Sequence, residues 1–138
     1  MRTECTQQHA SGIAGLIGAT GVLLGAFGAH ALRDGFTAAQ LGLWQTAVSY
    51  LFWHILAALL ALHWSASVRR PTALAAAALF LFGTVLFSGS LFALALSAPR
   101  WIGALTPIGG LALVAAWLAL AFAYTQEQTT LPTDRQTR

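Results

Sequence analysis

Residues 41–64 read Leu-Gly-Leu-Trp-Gln-Thr-Ala-Val-Ser-Tyr-Leu-Phe-Trp-His-Ile-Leu-Ala-Ala-Leu-Leu-Ala-Leu-His-Trp, with no Asp, Glu, Lys or Arg. At about 1.5 Å per helical residue, such a stretch exceeds the roughly 30 Å of hydrocarbon in a bilayer. Three further charge-free stretches share this length: Ser11 to Leu32, Thr72 to Ala98, and Trp101 to Tyr124. One arginine in mid-span would cost about 2.5 to 3.5 kcal/mol, so the absence of charge is itself a signal. The pattern predicts an all-α integral membrane protein, a bundle of four transmembrane helices.

Composition agrees. The chain has 138 residues, 57% hydrophobic and 8% charged, against about 25% charged in a soluble domain. Four spans of about 20 residues leave no room for a separate soluble domain. We therefore read a short tail at 1–10, a transmembrane domain at 11–124, and a disordered Thr/Gln-rich tail at 125–138.

The charged residues mark the ends of the spans. Arg2, Arg69, Arg70, Arg135 and Arg138 share one side, whereas Arg33 and Arg100 lie on the other. Basic residues are retained on the cytoplasmic side, so both termini are expected to be cytoplasmic. The net charge of +3 then reflects topology and attraction to anionic headgroups, and a nucleic-acid partner is not expected. Arg2, an apolar stretch and Ala29-His30-Ala31 imitate a cleavable secretory signal. However, Ile13 to Ala29 is apolar for longer than a signal core, so it reads as the first span. The lone Cys5 has no disulfide partner within the chain and reads as a reduced thiol.

Gly18, Gly21, Gly25 and Gly28 follow the i, i+3, i+7, i+10 spacing and offer one face for close approach of a second helix. In the fourth span Gly109, Ala112, Ala116, Ala119 and Ala123 form a similar stripe, with Leu113, Trp117 and Leu120 expected opposite it. Thr37-Ala38-Ala39-Gln40 matches a capping box, flanked by Phe36 and Leu41 as a hydrophobic staple. Pro71 suits a first helical position and Pro99 is expected to end the third helix. The fourth helix starts either near Trp101 or, with Thr106 as its cap, at Pro107. We favour the second, with Ile102 to Leu105 as an interfacial segment.

Uncharged polar side chains gather on the second span. Gln45, Thr46, Ser49, Tyr50 and His54 cover half its circumference, and Thr46, Tyr50 and His54 form a ladder on one face. Thr84, Ser88 and Ser90 answer from the third span, and His30 ends the first. Hydrocarbon offers such groups no partners, so they are expected to face the bundle interior. His54 is the one ionisable group clearly within a span. It reads either as a neutral histidine bonded to Ser88 or Tyr50, or as a functional centre. A haem held by His30 and His54 is disfavoured, because the two lie about ten residues apart in depth. His9 and His63 read as interfacial. No catalytic residue, metal site or cofactor is expected; no paired carboxylates or Cys cluster is present.

Four strings carry a resemblance: Gly25-Ala-Phe-Gly-Ala-His-Ala-Leu32; Trp44-Gln-Thr-Ala-Val-Ser-Tyr50 followed by His54; Phe87-Ser-Gly-Ser-Leu-Phe92; and Thr106-Pro-Ile-Gly-Gly110. In this order they resemble the family called domain of unknown function 423, from about Gly12 to Tyr124. The resemblance implies a small multi-helix membrane protein, in bacteria an inner (plasma) membrane one, and supplies no reaction or cofactor. It draws attention to His30, Tyr50, His54, Ser88, Ser90 and Thr106, and to Phe92 where many relatives carry Tyr.

The reading that follows is a non-enzymatic accessory or scaffold protein whose partners are the bilayer and either further copies of itself or a larger membrane complex. Two alternatives stay open: an oligomeric transporter or proton-coupled carrier using His54 and Tyr50, and a quinone- or haem-associated redox subunit.

Overall fold

A computed structural model describes residues 2–68 and 71–130, with side chains placed for 7–67 and 71–126. The described residues form four α-helices: α1 over Arg2–His30, α2 over Ala38–Val68, α3 over Pro71–Ala95 and α4 over Leu105–Thr130. A 3-10 turn over Arg100–Ala104 leads into α4. Each of the four is long and apolar enough to cross a membrane. The readings of Cys5, of the arginines at 2, 69, 70, 135 and 138, and of the tail from 131 onward concern side chains or residues outside those described.

The helix ends differ from the boundaries read in the sequence. Residues 2–10 continue α1 instead of forming a separate tail. No proline or glycine interrupts them, and the Gln7 amide donates to Ser65 Oγ on α2 at 2.6 Å, which ties down the added turn. Residues 125–130, expected to be disordered, extend α4. Gln126, Glu127 and Gln128 are good helix formers. The fourth helix begins between the two starts considered, at Leu105. Pro107 falls in its first turn, where a missing N–H removes no hydrogen bond.

The loop between α1 and α2 is closed by the capping box. The Thr37 N–H and hydroxyl both donate to Gln40 Oε1 at 2.9 Å, and the Gln40 N–H donates back to Thr37 Oγ1 at 3.3 Å. The Gln40 amide nitrogen then reaches across the bundle. It donates to the Ala95 carbonyl at 3.0 Å and to Ser97 Oγ at 3.2 Å, so one side chain caps the start of α2 and the end of α3. Ser97 ends α3 in the left-handed region, at φ 65. Its N–H donates to the Leu94 carbonyl and that of Ala98 to the Ala93 carbonyl, the paired bonds of a Schellman cap. The helix thus stops at Ala95, four residues before Pro99.

α2 and α3 are the central pair, with α1 against α2 and α4 against α3. The glycine face of α1 lies on α2 in antiparallel register, Gly18 beside Ile55, Gly21 beside Leu51, Gly25 beside Val48 and Gly28 beside Trp44. A Cβ at Gly28 would fall on the Trp44 indole, whose N–H donates to the Leu24 carbonyl at 2.9 Å. Phe27, Phe36 and Phe92 surround that indole, Phe92 edge-on at 4.7 Å. α3 and α4 approach closely at Gly83 and Gly109, where a Cβ on Gly109 would stand 2.6 Å from the Phe87 nitrogen. In α4, Leu113 and Leu120 are buried with Gly109, Ala116 and Ala123. The expectation that they point away from the small stripe is corrected. At 100° per residue they lie within about 60° of the stripe, whereas Trp117 stands to its side.

Candidate functional site

α2 turns its small and aliphatic face, Ala47, Leu51, Ala58 and Ala61, into the bundle. Of the polar ladder beside this face only His54 is buried; Thr46 and Tyr50 are exposed, as are Gln45 and Ser49. The expectation that the whole group faces inward is corrected. Thr46 needs no interior partner because its hydroxyl donates to the Gly42 carbonyl one turn back at 2.8 Å.

His54 sits among aromatic rings from three helices. Tyr50 stacks on it at 5.4 Å and in turn on Phe87 at 4.5 Å. Phe80 lies 6.1 Å away, and Trp117 of α4 meets it edge-on at 6.4 Å. Nδ1 stands 2.7 Å from the Tyr50 carbonyl oxygen. Of the two partners weighed from the sequence, the bond therefore goes to Tyr50, through its backbone, and not to Ser88. A carbonyl only accepts, so Nδ1 is the donor and the neutral ring carries its lone pair on Nε2. This ties the imidazole to its own helix and turns Nε2 away from that helix.

The remaining polar residues separate into two groups. Ser90 and Thr106 join α3 to α4 with a 2.7 Å contact between hydroxyls. Ser90 has one proton, which it gives to the Phe87 carbonyl at 2.8 Å, so Thr106 is the donor in the pair. Thr106 is thereby a link between helices and not the cap of α4. Thr84 and Ser88 are fully buried, one turn apart, and their hydroxyls make no hydrogen bond among the described residues. Helical spacing puts them on the side of α3 that carries Phe92 and Ala95 toward α2. His30 is exposed at the end of α1. Because Gly28 meets Trp44 and Gly18 meets Ile55, His30 stands level with the start of α2, whereas His54 stands level with the middle of α1. The structure does not bring the two histidines together.

A groove of about 640 Å³ opens between α2 and α4, and His54 does not line it. Leu60, Trp117, Leu120 and Ala121 form its apolar wall, and His63, Trp64 and Tyr124 stand toward the helix ends. Trp64 and Tyr124 lie 5.5 Å apart. Sequence reading treated Trp117 only as bulk in the fourth span; the available signal was its position one turn past Leu113, on the flank of the packing stripe. Among the described residues no group of three or more His, Cys, Asp or Glu is placed to hold a metal ion.

Residues 24–110 match the family described as Protein of unknown function (DUF423). The chain is 43% identical to a UPF0382 membrane protein of Staphylococcus saprophyticus, over 70% of this chain and 79% of the relative. It is 35% identical to the UPF0382 membrane protein YwdK of Bacillus subtilis, over 72% of this chain and 82% of that one. With the UPF0382 inner membrane protein YgdD of Escherichia coli the identity is 43%, over 70% and 73%. No solved structure matches the chain.

Proposed function

The chain belongs to the DUF423 family of small membrane proteins, and from that premise we propose that it is a non-enzymatic scaffold or accessory subunit of the inner membrane. One observation carries this reading: the outer helices leave most of their apolar surface uncovered. In the apolar spans of α1 and α4 only 17% of the residues are buried, against 44% in α2 and 39% in α3. Leu16 and Leu23 on α1, and Leu111 and Leu118 on α4, point away from the bundle. Lipid tails match such surfaces, and they equally suit the helices of a partner, where van der Waals contact drives association.

The polar interior supports the same reading. Gln7 with Ser65, Gln40 with Ala95 and Ser97, Trp44 with Leu24, and Ser90 with Thr106 each tie one helix to the next. A carrier needs polar groups lining a path, whereas the groups in these four links are engaged in holding helices together. Both termini face the cytoplasm, following the arginine count of five to two.

A photo-crosslinking residue placed at Leu23 or Leu118 and activated in intact cells tests the proposal. The expected result is a discrete adduct of fixed mass, either a second copy or another membrane protein, at one or both positions. Lipid adducts alone at both positions would contradict it.

A further inference from the structure

A second groove, of about 310 Å³, lies between α3 and the turn that leads into α4. Phe82, Leu86 and Gly89 line it from α3, where steps of four and three residues put them on one face. Trp101, Ile102 and Leu105 close it from the other side. Its one hydroxyl, on Ser90, is already engaged, donating to the Phe87 carbonyl and accepting from Thr106. Apart from the Trp101 indole, the remaining wall is hydrocarbon. Gly89 keeps the groove open. Gly28 and Gly109 face a neighbouring helix closely, whereas a Cβ on Gly89, which is exposed, would meet nothing within 4 Å.

The position of the groove selects its occupant. From Phe82 to Gly89 it follows α3 for about 10 Å, roughly two thirds of the hydrocarbon of one leaflet. Trp101, 68% exposed in the turn beyond α3, is placed as interfacial tryptophans are, at headgroup level. Arg100 is its neighbour in that turn, is exposed, and makes no ion pair among the described residues. Arg33 and Asp34 in the loop between α1 and α2 cancel, so Arg100 leaves this end of the bundle with one net positive charge. We propose that the groove holds one acyl chain of an anionic phospholipid, whose phosphate pairs with the Arg100 guanidinium. A guanidinium meets phosphate oxygens with a fork of N–H donors. Phosphatidylethanolamine binds more weakly, because its ammonium brings a second cation beside Arg100.

The test uses the full chain in phosphatidylcholine nanodiscs. A trace of phosphatidylglycerol or of phosphatidylethanolamine, each with a diazirine in one acyl chain, is photolysed, and adducts are mapped to peptides by mass spectrometry. Mapping separates this groove from the arginines at the other end of the bundle. The expected result is labelling of residues 82–105 by the phosphatidylglycerol probe about three- to fivefold above the other, the worth of one arginine near the headgroups. Arg100→Gln should bring that ratio to about one, whereas Arg33→Gln, in the other loop, leaves it unchanged. Gly89→Leu, whose side chain has open space to enter, should cut labelling by both probes at an unchanged melting temperature. Equal labelling by the two probes in the wild-type protein overturns the proposal. So does an unchanged ratio in Arg100→Gln, an equal loss in Arg33→Gln, or undiminished labelling in folded Gly89→Leu.

Discussion

Gly109→Ala is expected to loosen the α3–α4 pair, while Gly110→Ala, one residue on, leaves it intact. A Cβ on Gly109 would stand 2.6 Å from the Phe87 nitrogen and 2.9 Å from its Cα. Those are backbone atoms of a neighbouring helix, and no rotamer change moves them. The two helices must part, and the loss spreads to the contacts on either side, Gly83 with Leu113 and Ser90 with Thr106. Overpacking of this kind costs about 1 to 3 kcal/mol, with the upper end expected because backbone must yield. At Gly110 the added carbon would meet only the Phe87 ring at 3.7 Å, an ordinary contact. Alanine is also the better helix former by about 1 kcal/mol, so this variant should match or slightly exceed the wild type. Thermal unfolding in detergent, read by circular dichroism, compares the two. Equal melting temperatures would remove the close approach from the account.

Trp44→Ala should be the most damaging change at the other seam. The indole is buried, fits the space left by Gly28, and packs against Phe27, Phe36 and Phe92. Truncation empties that nest and removes the bond to the Leu24 carbonyl. Large-to-small changes of this size cost about 3 to 5 kcal/mol. Trp44→Phe keeps a ring in the nest and loses the donor, so about 1 kcal/mol is expected. Protease accessibility of the α1–α2 loop, measured alongside unfolding, should rise strongly in the first variant and little in the second. A Trp44→Phe variant as unstable as Trp44→Ala would mean that the hydrogen bond, and not the packing, secures α1.

The four helices were legible because their signal is long and physical: an apolar run without charge can be read whatever surrounds it. The capping box at Thr37 and Gln40 was legible for a similar reason, since all its partners lie within four residues. What Gln40 does beyond the box was not. Its bonds to Ala95 and Ser97 cross more than fifty residues, and nothing local announces them. The polar ladder shows the opposite failure. Spacing correctly puts Thr46, Tyr50 and His54 on one side of α2, but it does not say where the bundle lies. The small residues Ala47, Ala58 and Ala61 decide that, and the ladder falls at the edge of the buried face. His54 alone turns far enough inward, and it meets aromatic rings there instead of the serines expected from the third span.

The chain thus couples a well-tied pair of central helices to two outer helices that are open on their far sides. Links at both ends hold the bundle: Gln7 to Ser65 at one, Gln40 to α3 and Ser90 to Thr106 at the other. Between them the spans carry no charge, and α1 and α4 keep fewer of their residues buried than α2 and α3 do.

Native mass spectrometry of the protein released from its own membrane by a mild detergent tests this most directly. The account predicts that the 14.5 kDa chain is recovered within a larger assembly of defined mass, as several copies or with another membrane protein. Recovery only as a lone, lipid-bound monomer across several mild detergents would contradict it.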